Sequence, residues 1–141
     1  MSTDSKYLKS EIVRLYAKGG SPLPIAPSDK PTVTKIYNYD AGWPEALHYE
    51  FWIRGGRIEV ALHTENEKSK NALYSQMRSW EHTSPKPYPH KLRYEKRSAK
   101  YSGLSTAFDI STDPKVIVNA MKLFIQATSP VITQLMNDYP N

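Results

Sequence analysis

The chain contains no cysteine, which excludes disulfides, thiolate metal sites and thiol nucleophiles together. Any chemistry must therefore come from histidine, carboxylate, hydroxyl or lysine side chains. No continuous apolar run approaches the roughly 18 residues that a membrane span requires, and the opening MSTDSKYLKSE has no apolar segment of the signal-peptide kind. The expectation is a cytoplasmic protein with no membrane partner. Glycine is scarce, with 6 residues, and neither Gly19-Gly20 nor Gly55-Gly56 is followed by the Lys-Ser or Lys-Thr of a phosphate-binding loop. The strand-borne Asp and Glu-x-Lys set that holds Mg²⁺ in restriction-type nucleases is present only as fragments, Glu95-Lys96 and Glu50. No nucleophile elbow or helical H-E-x-x-H occurs. These absences incline the reading away from an enzyme and imply no cofactor.

What the chain does have is the size and balance of one soluble domain: 141 residues, 39% hydrophobic and 23% charged. Residues 1–141 are read as one α+β domain, with an N-terminal helix within 1–20 and a Pro-rich strap over 21–31. Its formal charge is +5, and one stretch accounts for the whole excess. Lys86, Lys91, Arg93, Lys96, Arg97 and Lys100 are opposed there only by Glu95. A localised basic stripe is the footprint of a surface that meets phosphate or acidic side chains. The plainer reading is a solvated strand whose cations block edge-to-edge pairing.

The hydrophobic pattern orders the elements. Leu8, Ile12, Leu15 and Tyr16 recur at helical spacing over residues 5–18, with Asp4 or Ser5 as cap and Gly19-Gly20 as stop. Pro22, Pro24, Pro27 and Pro31 make the next stretch extended, and Leu23 and Ile25 offer it apolar contacts with the core. A strand follows over 32–39, then a loop around Trp43-Pro44. From Leu47 to His63 the alternation is strict on both sides of Gly55-Gly56. Two glycines supply the positive φ values of a tight hairpin turn. That turn sets Arg54 opposite Arg57, Trp52 opposite Glu59, Phe51 opposite Val60 and His48 opposite His63. Thr64-Glu65-Asn66-Glu67 fits a capping box and predicts a helix to about Trp80, with Leu73, Met77 and Trp80 inward. Strands are predicted over 91–98, with Leu92 and Tyr94 inward, and over 104–110. Ser111-Thr112-Asp113-Pro114 opens a last helix, which Pro130 is expected to kink or break. The order is α-β-β-β-α-β-β-α: a two-layer domain with an antiparallel five-stranded sheet and its helices on one face.

The stretch Tyr49-Glu50-Phe51-Trp52-Ile53-Arg54-Gly55-Gly56-Arg57-Ile58-Glu59-Val60-Ala61-Leu62-His63, followed by Glu67-Lys68-Ser69-Lys70-Asn71, resembles an uncharacterised prokaryotic domain family. That family is often found C-terminal to restriction-endonuclease-like domains. The shared pattern is an aromatic strand, an Arg-Gly turn, an R-x-E-L-type strand and a charged helix start. The resemblance extends over roughly 47–137 if the basic strand and last helix are included, and its specific part is 49–71. It implies a free-standing module with a defence- or phage-associated role. The element order is also similar to that of type III secretion chaperones, which are typically acidic dimers; the present pI of about 9.3 departs from them.

Two constellations compete for function. His48, His63 and Glu50 share the outer side of the hairpin, and two imidazoles with a carboxylate suit a zinc or iron ion with open positions; the plainer account is ordinary cross-strand neighbours. Aromatic residues near cations, namely Trp52, Trp43, Tyr88, His90 and Tyr101, suit base stacking beside phosphate contacts. The leading expectation is a non-catalytic module that binds nucleic acid or an acidic protein through Trp52, Arg54, Arg57, Lys91, Arg93, Lys96, Arg97 and Lys100. A chaperone-like or inhibitor protein, acting as a homodimer on a protein partner, is the second reading. A small metal-dependent hydrolase built on His48, His63 and Glu50 is the third.

Overall fold

The computed structural model describes residues 5–18, 23–26, 30–64, 71–96 and 102–138. Along them run α1 (Ser5–Ala17), β1 (Val33–Ile36), β2 (Leu47–Arg54), β3 (Arg57–Thr64), α2 (Asn71–Ser79), β4 (Arg93–Lys96), β5 (Ser102–Asp109) and α3 (Pro114–Asp138). The order is the one the hydrophobic pattern predicts, and the fold is α+β. All strand pairs are antiparallel. The five strands lie in the order β1-β2-β3-β5-β4, so the last hairpin attaches to β3 through its second strand.

The central hairpin follows from its turn. Gly55 and Gly56 have φ of 58° and 75°, which leaves Arg54 facing Arg57, Trp52 facing Glu59 and His48 facing His63. A Cβ at Gly56 would meet no atom within 4 Å, so the requirement there is conformational and not steric. Gly56→Val should therefore lower stability by about 1–2 kcal/mol, read by chemical denaturation; an unchanged midpoint would refute this account of the turn.

The side chains of one sheet face, among them Tyr49, Phe51, Ile58, Val60, Leu62 and Leu104, are buried with the helices in one core. Leu8, Ile12 and Tyr16 of α1, Leu73 and Met77 of α2, and Ile117, Met121, Phe124 and Ile132 of α3 supply the opposing layer. Tyr16 meets Phe51 edge-on at 6.2 Å, and Phe124 meets Tyr49 in the same way at 5.6 Å. Both helices thus cover the same side of the sheet. Tyr49 Oη lies 2.7 Å from Thr128 Oγ1. Because the Thr128 hydroxyl donates to Phe124 O, the Tyr49 hydroxyl is the donor. Helix α3 is long and apolar enough by composition to cross a bilayer, with half of its most apolar window buried in the protein.

Two expectations are corrected, and a third falls partly on undescribed residues. Thr64 closes β3, paired with Leu47 and Ser102, and the rest of its capping box, Glu65 to Glu67, lies outside the described residues. Residues 65–70 lie outside the described residues, and α2 is described from Asn71. The fourth strand begins at Arg93 and not at Lys91, and is described as far as Lys96; Arg97 to Tyr101 lie outside the described residues. Pro130 does not break α3, which runs unbroken from Pro114 to Asp138. Proline removes the bond to the carbonyl four residues back. That residue, Gln126, is exposed, as is Pro130, so water can satisfy the carbonyl. Beyond the proline, Ile132 is buried, and Thr133 Oγ1 accepts the Trp43 indole N–H at 3.0 Å. Tertiary contacts therefore hold the last turns in place. At the start of α3, Asp113 Oδ1 accepts the Lys115 N–H at 3.0 Å, the cap that the Asp-Pro pair predicts.

The two sheet edges differ. Along β1, strap residue Ile25 bridges to Ile36, and the Ala26 N–H bonds to Lys35 O at 2.9 Å. On the opposite side, β4 pairs with β5 alone; just before it, the Leu92 backbone bonds to His82 and Thr83.

Candidate functional site

The outer face of the sheet carries the alternate residues of each strand. Strand polarity predicts a solvated face here, yet His48, Glu50 and Glu59 are only 1%, 6% and 5% exposed. The centre of this face is a shallow depression. Small residues of the middle strands, Ala61, Gly103 and Ser105, alternate there with larger ones from β2 and β4: Trp52, Glu50 and Glu95. Side chains rising on either side of small ones shield the carboxylates, and the described lining of the depression comes from strands alone.

Glu50 sits between two imidazoles. Its Oε2 is 3.5 Å from His48 Nε2, and its Oε1 is 3.6 Å from His63 Nδ1. The two rings lie 5.3 Å apart, and Tyr37 packs edge-on against His48 at 5.4 Å. His48 Nδ1 stands 2.9 Å from Glu45 O. A carbonyl only accepts, so Nδ1 carries a proton and Nε2 is the nitrogen turned to the carboxylate. Burial by itself pushes the Glu50 carboxyl up; contact with His48 and the positive charges of His63, His48 and Lys35 outweigh it, and the carboxyl lies below its ordinary value. Lys35 is the β1 neighbour of Glu50 in the ladder.

The hairpin thus brings His48, His63 and Glu50 together, as its register predicts. Each imidazole approaches a different oxygen of one carboxylate, and among the described residues no group of three or more His, Asp or Glu is placed to hold a metal ion.

The candidate cations fall into two separate groups. Arg54 stacks its guanidinium 4.1 Å over the Trp52 ring and brings Nε to 3.2 Å from Glu59 Oε2. Arg57 is exposed and pairs in the ladder with Arg54 and Asp109. Lys91, Arg93 and Lys96 are exposed along β4 and its approach, with Lys86 exposed nearby in the chain. Strands β2 and β3 are three and two positions from β4, about 14 and 10 Å at ordinary strand spacing, so Trp52, Arg54 and Arg57 do not extend the β4 surface directly. Arg97 and Lys100 lie outside the described residues, as does Tyr101.

The aromatic residues proposed for base stacking are largely committed elsewhere. Trp43 and Tyr88 are core residues at 3% and 1% exposure; Tyr88 packs on Phe124 at 5.0 Å, and burial pushes its hydroxyl up to about 12. His90 is half-buried between Tyr88 and Phe108. Sequence patterning missed Glu59, Glu95 and Ser105 as parts of the outer depression. Only the hairpin register could have signalled Glu59; the other two depend on β5 lying between β3 and β4. No protein family, curated protein or solved structure matches the chain.

Proposed function

We propose that the protein is a non-catalytic binding module that engages an acidic protein partner through the cations of β4 and its approach. The observation that carries this reading is that Lys86, Lys91, Arg93 and Lys96 are all exposed while ion pairs among the described residues go to other cations, such as Arg14 with Glu11 and Arg54 with Glu59. Uncommitted charge on an edge strand suits a partner that brings the opposite sign. A protein is favoured over nucleic acid because Trp43 and Tyr88 are buried and Trp52 is covered by Arg54, which among the described residues leaves no fully exposed aromatic ring beside the cations for stacking. The defence- or phage-associated role rests on the resemblance of residues 49–71 alone.

The test is a titration of wild type and the Lys91→Ala, Arg93→Ala, Lys96→Ala triple variant with polyglutamate and with single- and double-stranded oligonucleotides across a salt series. Wild type should bind polyglutamate, more weakly as salt rises, and the triple variant should lose that binding while its stability stays within about 0.5 kcal/mol. Equal binding by the two proteins would refute the assignment to β4. Oligonucleotide binding in preference to polyglutamate, with a salt slope that falls by about 0.7–0.9 for each phosphate no longer neutralised, would transfer the surface to nucleic acid.

A further inference from the structure

We infer that β4 accepts its partner as an added strand: an extended segment that sets acidic residues beside Arg93 and Lys96 and an apolar one beside Tyr94, lying along the outer edge from Tyr94 to Lys96. This inference rests on the acidic-partner reading and specifies how the partner is held.

The geometry begins at Leu92. Its N–H donates to Thr83 O at 2.9 Å, and its C=O accepts the His82 N–H at 2.8 Å, so both groups point away from β5. In a strand the direction of the peptide groups alternates with each residue. The N–H and C=O of Tyr94 and Lys96 therefore point the same way as those of Leu92, to the side where β4 has no neighbouring strand among the described residues. Strap residues Ile25 and Ala26 lie along the end of β1 at Lys35 and Ile36, and residues 81–83 close the edge at Leu92. Two outward peptide units remain, in line with the segment that already bonds to Leu92. An added strand satisfies such groups with main-chain hydrogen bonds, while its alternate side chains set the specificity.

The side chains flanking this edge define the occupant. Arg93 and Glu95 lie on the outer sheet face, and Lys91 shares their parity; Arg93 and Lys91 are exposed, whereas Glu95 is half-buried at the outer depression. Cross-strand neighbours of opposite charge attract, so the side chain of the added strand beside Arg93 is acidic and the one beside Glu95 is uncharged. Leu92 and Tyr94 face the other way; Leu92 is buried in the core, and Tyr94 packs against it half-buried. An apolar residue beside Tyr94 extends that layer. Lys96 has the same parity as Tyr94 and receives a further carboxylate at the end of the strand.

The probe is an end-blocked Thr-Glu-Val-Thr-Glu-Thr peptide, whose central residues set Glu beside Arg93, Val beside Tyr94, Thr beside Glu95 and Glu beside Lys96, compared with the same peptide N-methylated at alternate residues. Methylation keeps the charge and removes the donors that an added strand needs. Binding is followed on the full chain by amide exchange and by titration at low salt. The parent peptide should bind about tenfold more tightly than the methylated one, the scale of one or two peptide hydrogen bonds, and should slow exchange at the Tyr94 and Lys96 amides. Lys96→Gln, which keeps the backbone donor and removes the charge, should weaken binding yet preserve that protection. Equal affinity for the two peptides overturns the added strand while leaving the acidic-partner reading intact. Binding of neither peptide, with oligonucleotides bound or not, overturns both.

Discussion

Phe124→Ala should lower the free energy of unfolding by about 3–5 kcal/mol, the range for removing a large aromatic side chain from a packed core. Phe124 is fully buried on α3, edge-on to Tyr49 at 5.6 Å and tilted against Tyr88 at 5.0 Å. It is where the helix layer, the centre of β2 and the loop before β4 meet. The neighbours cannot simply close the space, because Tyr49 is anchored by its bond to Thr128 and Thr128 is held in turn by Phe124 O. Chemical denaturation of the variant measures the loss. A loss below about 1 kcal/mol, the scale of an ordinary substitution, would mean that α3 does not pack on the sheet in this way.

Glu50→Gln should cost about 1 kcal/mol near neutral pH, the centre of the range for single substitutions, and the cost should fade in acid. The sign follows from the lowered carboxyl of Glu50. A group whose value is depressed on folding contributes its stability above the unfolded value, ordinarily 4.5 here, and loses it as pH falls through the lower folded value. The wild-type advantage over the variant should therefore be complete at about pH 6–7 and shrink below about pH 4. Denaturation of both proteins across that range decides it. An equal difference at about pH 3 and about pH 7 would show that the carboxylate charge is not what His48, His63 and Lys35 hold.

The outcome for His48, Glu50 and His63 separates what residue pattern conveys from what it does not. Their convergence was legible because Gly55-Gly56 sets a two-residue turn, and strand periodicity then determines every opposing pair. Their burial was not legible. It arises because Ala61, Gly103 and Ser105 leave the middle of the sheet low while Trp52, Tyr37 and Glu95 stand at its sides, and that grouping requires β5 to lie against β3. Nothing local in the segment from Ser102 to Asp109 says which earlier strand it joins.

The same division applies to the aromatic residues and to Pro130. Alternation identified Phe51 and Tyr49 as inward, but Trp43 and Tyr88 lie in irregular segments without a period, so their burial depended on where α3 passes. Pro130 carries a local penalty that any sequence reading registers. The contacts of Ile132 and Thr133 beyond it come from residues distant in the chain, and they prevail.

By itself the sequence determined the order of elements, the α+β class, the hairpin register and the concentration of positive charge around β4, because turn chemistry, side-chain periodicity and charge count are local properties. Tertiary structure alone decided the strand order, the burial of the outer-face carboxylates, the separation of Arg54 and Trp52 from the basic edge, and the open peptide groups of Tyr94 and Lys96. Each of these depends on which segments meet across long stretches of chain, and that choice is made by the packing of the whole core.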